Sequence, residues 1–142
     1  MNRTIKFRGQ REDNKEWVYG SYFIGAFNTH WIVTNDFVFT PVRQETVGQF
    51  TGLYDCASIE IYEGDVVRQN FAIYTSDYSF EGYHIGKVVI LASKGACLLK
   101  PTLHVSSNNE ETIIRKTNQY KQICASRCVV IGNMYENMDL LK

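Results

Sequence analysis

Trp17-Val18-Tyr19-Gly20-Ser21-Tyr22-Phe23-Ile24 is dense in aromatic and β-branched side chains, the types that fit the pleated, half-buried surface of a strand. Two further stretches share this composition, Trp31 to Phe39 and Val66 to Tyr74, and turn-forming residues punctuate the chain between them. Successive side chains on a strand point to opposite faces, so Trp17 and Val18 diverge and the rings of this segment cannot all enter one core. The chain therefore reads as mainly β, a β-rich α+β fold of small barrel-like or strongly bent antiparallel sheets.

Upstream, the polar run Gly9-Gln10-Arg11-Glu12-Asp13-Asn14-Lys15 reads as a hairpin connection between Thr4–Arg8 and Glu16–Phe23, because Asp13 and Asn14 tolerate left-handed turn conformations. In the first of these strands Ile5 and Phe7 are expected to face the core, with Lys6 and Arg8 in water. Downstream, Asn35-Asp36 marks a second hairpin. The run from His84 to Leu91 is apolar without alternation, as in a strand covered on both faces or at a protomer contact, and Gly95 turns the chain into Ala96–Lys100. Ser107 and Glu110 have capping-box spacing, and Ile113, Ile114, Tyr120, Ile123 and Cys124 fit a helical face, which predicts a helix over 109–124. The tail reads as a last strand at Cys128–Ile131 and a Gly132-Asn133 turn before Glu136–Leu141, and one or two short helices are expected in the C-terminal half.

A chain of 142 residues with 44% apolar content and two prolines has enough apolar material to fold as one domain, 1–142. A second small lobe, if there is one, is expected after about residue 75, where the polar, aromatic-spotted stretch Thr75–Tyr83 reads as an exposed loop or insertion. Fifteen basic and fifteen acidic side chains cancel, removing the long-range attraction on which most non-specific nucleic-acid or anionic-membrane binders depend. The charges are nonetheless segregated along the chain. His84 to Arg127 holds Lys87, Lys94, Lys100, Arg115, Lys116, Lys121 and Arg127 against Glu110 and Glu111, while Gln44 to Val66 is acidic and has neither Lys nor Arg.

No charged segment followed by an apolar one opens the chain, and no apolar run approaches the roughly 20 residues of a membrane helix. A cytoplasmic location in a bacterial host and no membrane partner are the expectations. Cys56, Cys97, Cys124 and Cys128 are then expected to be reduced thiols. Cys124 and Cys128 share a four-residue spacing, but His84 and His104 lack the spacing that would complete a zinc site. The three histidines, His30, His84 and His104, are scattered and read as strand-surface residues. No catalytic residue, metal or cofactor is expected.

Tyr62-Glu63-Gly64-Asp65-Val66-Val67 reads as a tight turn feeding a strand, since Gly64 can take positive φ and Asp65 can bond nearby backbone. The rival reading makes Glu63 and Asp65 an acidic pair, with no third carboxylate or His beside them in sequence. Gly48-Gln49-Phe50-Thr51-Gly52 lacks the Lys-Ser/Thr end of a phosphate-binding loop, so its glycines are assigned to bends or a bulge. A Gly-Asp turn followed by a Gly-x-Val strand, here Gly86-Lys87-Val88, is also found in small barrels of the Src-homology-3-like kind, an analogy of fold alone.

Several blocks occur in order: Ile5-Lys6-Phe7-Arg8 with Trp17-Val18-Tyr19-Gly20, Glu45-Thr46-Val47-Gly48-Gln49-Phe50-Thr51-Gly52-Leu53, Ile61-Tyr62-Glu63-Gly64-Asp65-Val66-Val67, and Ile131-Gly132-Asn133-Met134-Tyr135-Glu136-Asn137 with Leu140-Leu141. Together they resemble the YopX family of bacteriophage and prophage proteins. The chain departs from that pattern at Asp55-Cys56-Ala57-Ser58, where an Asp-Lys-Asn-Gly-like turn is common, and at Met138, where Pro is common. The resemblance implies a phage, prophage or mobile-element context and carries no catalytic residue over.

The function expected is that of a non-enzymatic accessory protein acting through macromolecular binding or self-assembly, the latter through the unpaired edges of an open sheet. The alternatives are a nucleic-acid-binding module and a small enzyme with an unrecognised pocket. Trp17, Tyr19, Tyr22, Phe23, Phe27 and Trp31 crowd the first quarter of the chain beside Arg3, Lys6, Arg8 and Arg11. Such a mixture either fills a β core or grips a single strand by stacking and charge. The candidate binding surface is Arg8, Trp17, Tyr19, Tyr62, Glu63 and Asp65, with a further copy of the chain, another protein or a nucleic acid as partner.

Overall fold

The computed structural model describes residues 5–74, 76–77, 79–107 and 112–141. The chain divides into two compact units, Met1–Gly52 and Leu53–Lys142.

The first unit is built on β1 (Phe7–Gln10), β2 (Trp17–Ile24), β3 (His30–Val33), β4 (Phe39–Pro41) and the start of β5 (Gly48–Tyr54). These strands lie in the order β4-β3-β2-β1-β5, and each neighbouring pair is antiparallel. Both expected hairpins form. Arg11 N donates to Glu16 O over 2.8 Å and Asn14 Oδ1 accepts from Glu16 N over 2.9 Å, closing the β1–β2 turn. Thr34 N donates to Val38 O over 3.0 Å around Asn35-Asp36, joining β3 to β4. Ile32, Val42 and Phe50 are buried.

The facing expected for the first strand fails at Ile5 and Arg8, while Phe7 is half-buried against the Tyr22 ring. Ile5 is 67% exposed and Arg8 only 7%, because the guanidinium of Arg8 lies 4.5 Å from the centre of the Trp17 ring. A weakly hydrated planar cation on an aromatic face is stable where an ammonium or a free charge would not be. His30 is likewise interior rather than on the surface. It is buried, its Nδ1 shares a 2.5 Å hydrogen bond with the Tyr22 hydroxyl, and burial raises the pKa of that phenol.

The second unit holds the end of β5, then β6 (Glu60–Tyr62), β7 (Asp65–Tyr74), β8 (Ser79–Leu91), β9 (Gly95–Ser107), β10 (Thr112–Lys116), β11 (Lys121–Gln122) and β12 (Cys128–Asn133). Its main sheet runs β10-β9-β8-β7-β12, with β11 also paired to β9, and it does not close into a barrel. Ile61, Val67, Val88, Leu98 and Cys128 form the core, with Leu53, Ile123 and Val130 packed against it. The Tyr62–Asp65 segment is the expected tight turn. Gly64 has φ +94, and the Asp65 carboxylate accepts from Tyr62 N over 2.8 Å. Met134 N donates to Gly64 O over 2.8 Å, so the closing Gly-Asn-Met-Tyr segment is bonded to that turn.

Two expectations are corrected here. No helix spans 109–124: Thr112–Lys116 pair with β9 from Thr102 to Ser106, and Lys121–Gln122 pair with Cys97–Leu98. The β-branched Thr112-Ile113-Ile114 run favours a ladder over a helix, and residues 108–111 lie outside the described ones. The short helices of the C-terminal half are instead the 3-10 turns Ala125–Arg127 and Met138–Leu141. Nor is Thr75–Tyr83 a loop throughout. Ser79 to Tyr83 pair with Tyr74 to Asn70 as the outer part of a long hairpin, while Thr75 and Tyr78 lie outside the described residues.

Candidate binding face

The pairing registers of the second unit bring distant residues into rows. Asn70 lies opposite Tyr83, Tyr83 opposite His104, and His104 opposite Ile114, so one row crosses four strands on a single sheet face. The adjoining row is Arg68, Ile85, Thr102 and Lys116. Lys87 lies opposite Val66, two residues on from Ile85, and therefore shares this face. Arg127 precedes Cys128, which pairs with Gln69, and so joins the Asn70 row at the sheet's other margin.

Within these rows the side chains stack. The Arg68 guanidinium carbon sits 3.9 Å from the centre of the Tyr83 ring, and Tyr83 and His104 are stacked with centroids 4.6 Å apart and planes 17° from parallel. Arg68 Nε also donates to Asn70 Oδ1 over 3.0 Å, fixing the guanidinium in its stacked pose. Arg68 and Arg127 are exposed. With Asn70, Tyr83, His104 and Ser106 they line an open concavity of about 590 Å³.

The sheet beneath is tightly specified. A Cβ on Gly82 would meet the His104 carbonyl oxygen at 2.2 Å and the Phe71 ring at 2.8 Å, so this glycine lets β8 and β9 approach at the site. On the opposite face the Phe71 and His84 rings lie 5.6 Å apart, and burial followed by the charge of Lys121 lowers the pKa of His84. Glu81, the acid lining the concavity, accepts the Tyr74 hydroxyl over 3.0 Å, a bond that raises the pKa of the phenol. Arg127 Nε donates to Cys124 Sγ over 3.3 Å, and that bond, with one from Ser126, holds the Cys124 thiol below its ordinary pKa.

A guanidinium on a ring face keeps its N–H edge free for phosphate or carboxylate, and its exposed outer plane can stack on a flat ligand. The arrangement suits binding of planar, anionic ligands. Among the described residues no group of three or more His, Cys, Asp or Glu side chains is placed to hold a metal ion. Cys128 is buried, its thiol pushed up to about 11 chiefly by burial, and it donates to Gln69 Oε1 over 3.2 Å. It is a structural thiol. Among the described residues no helix is long and apolar enough to cross a membrane.

The residues singled out from sequence separate into two groups. Arg8 lies opposite Tyr19 and Gln10 opposite Trp17, so Arg8, Trp17 and Tyr19 share one face of the first unit's sheet, Tyr19 45% exposed and Arg8 buried. Tyr62 and Asp65 are each 2% exposed and shape the turn around half-buried Glu63. Arg68, Tyr83, His104 and Arg127 went unnoticed as a group because they come from four separate segments. The available signal was the basic stretch from His84 to Arg127. Its Lys87, Lys116 and Arg127 converge with Arg68, whereas Arg115, opposite Leu103, belongs to the other face.

These features define an antiparallel β protein of two units with an open, cation- and aromatic-lined sheet face. Residues 6–142 match the family model described as YopX protein, and the chain belongs to that family. No curated protein matches it.

Proposed function

We propose that this YopX-family chain is a non-enzymatic accessory protein of phage or prophage origin that binds single-stranded nucleic acid on the Arg68–Tyr83–His104 face. The observation that supports this most is the Arg68 guanidinium 3.9 Å over Tyr83, itself stacked 4.6 Å from His104. Lys87, Lys116 and Arg127 supply cations on that same face. Stacking tolerates any base, while clustered cations hold the backbone and release counterions. Overall neutrality means the attraction is local. An enzyme is the weaker reading, because the acid lining the concavity is engaged with the Tyr74 hydroxyl.

The test is fluorescence anisotropy with labelled single- and double-stranded DNA and RNA at low and moderate salt. Single strands should bind with affinity that falls as salt rises. Tyr83→Ala should cost about 1–3 kcal/mol of binding. Arg127→Ala should weaken binding for all sequences and reduce the salt slope by roughly 1. Salt-independent binding, or none to either single strand, overturns the proposal.

A further inference from the structure

Charge is ordered along the strand direction on the Arg68–Tyr83–His104 face. The row beside Asn70, Tyr83 and His104, on the side away from Arg68, is Ala72, Glu81 and Ser106. Glu81 stands two residues before Tyr83 and so shares its face. Among the described residues of these rows Glu81 is the acid, whereas Arg127 lies level with the rings and Arg68, Lys116 and Lys87 start from positions beyond them. Successive rows are about 6–7 Å apart, so the acid and the Arg68 row are separated by two such steps.

This gradient orients a nucleotide. Its phosphate is drawn to the cations and repelled by the carboxylate, so a base lying against the stacked rings turns its far edge, the Watson–Crick edge, toward Glu81. Glu81 is exposed and lines the concavity. The Tyr74 hydroxyl donates to its Oε1 over 3.0 Å, which fixes the group in place. A carboxylate accepts at both oxygens, through about four lone-pair sites, so that single bond leaves it able to receive more.

We infer that Glu81 is a specificity-determining residue that reads one guanine of the bound strand, an inference that rests on the nucleic-acid reading above. Guanine presents two parallel donors on its Watson–Crick edge, N1–H and the 2-amino group, which match the two oxygens of a carboxylate. Adenine and cytosine set a ring-nitrogen acceptor beside their amino group, and that acceptor would meet the carboxylate unpaired. Thymine and uracil offer one N–H between two carbonyl oxygens. The concavity, at about 590 Å³, is of the size that encloses one small ligand, and a purine nucleotide is such a ligand. Stacking and cations supply affinity for any sequence, and Glu81 adds preference at one position.

The experiment is fluorescence anisotropy with a labelled oligothymidine strand and copies carrying one central guanine, adenine, cytosine or hypoxanthine, the last lacking the 2-amino group. Wild type is compared with Glu81→Gln, which keeps an acceptor for Tyr74 but sets an NH₂ against one of guanine's donors. Wild type should bind the guanine strand about ten-fold tighter than the adenine or cytosine strand, as a bidentate pair does, and hypoxanthine should lose most of that margin. In Glu81→Gln, at an unchanged melting temperature, the margin should vanish. The all-thymine strand should then bind as tightly or tighter, since a charge opposing phosphate is gone. Equal binding of all central bases by wild type, or a guanine margin that persists in Glu81→Gln, overturns the assignment and leaves the single-strand reading standing. No binding of any strand by wild type overturns both.

Discussion

The carboxylate of Asp55 accepts a hydrogen bond from the backbone N–H of Val130 over 3.0 Å, joining residues 75 apart in sequence. Its other oxygen accepts from Ala57 N and Ile59 N, each over 2.9 Å. Burial alone would raise the pKa of this 5% exposed acid, but the three amide donors prevail and hold it below its ordinary value of 3.8. A carboxylate with a depressed folded pKa contributes stability that is fully present above the unfolded value and is lost as pH falls through the folded one.

Urea melts should therefore show this contribution constant at neutral pH and declining as pH falls below about 4. Asp55→Asn keeps the shape but loses one acceptor oxygen, and should destabilise by about 1–3 kcal/mol at neutral pH. It should also flatten the acid limb of the pH–stability curve. An unchanged acid limb would remove Asp55 from the account.

Three residues further on, Ser58 has φ +64, at the position where the YopX pattern commonly carries Gly. The turn is closed by Ser58 N donating to Asp55 O over 3.0 Å and Asp55 N to Ile59 O over 2.8 Å. An L side chain in the left-handed region costs on the order of 1 kcal/mol, part of which a glycine loses again in the unfolded chain. Ser58→Gly should raise stability by about 0.5 kcal/mol in the same melts. A destabilised variant would mean that the turn depends on the serine side chain.

This turn shows what sequence could convey. The Tyr62–Asp65 turn, the Asn35-Asp36 hairpin and the strands around Trp17 and Val66 are local, so residue type identified them. The direction of Arg8 was not local: it depends on Trp17 across the β1–β2 pair. The 109–124 helix failed because its apolar spacing fits two periods, and the available β9 edge decided between them. The proposed binding face was least legible, since Tyr83 meets Arg68 and His104 only through two registers. The second of these shifts between Ile85 and Lys87, a bulge that residue type does not announce.

Cys124 reports on that face without a ligand. Arg127 Nε bonds to its sulfur, and this contact, then Ser126, favours the thiolate. Iodoacetamide reacts with thiolates, so peptide mass spectrometry should find Cys124 alkylated in the folded protein at a pH where Cys128, pushed up to about 11 and buried, is untouched. Arg127→Ala should slow Cys124 labelling several-fold and move its pH–rate midpoint upward. A single-stranded oligonucleotide that draws Arg127 onto a phosphate should slow labelling in the same way, with no further effect in Arg127→Ala. Labelling unaffected by Arg127→Ala would show that the guanidinium does not govern this thiol.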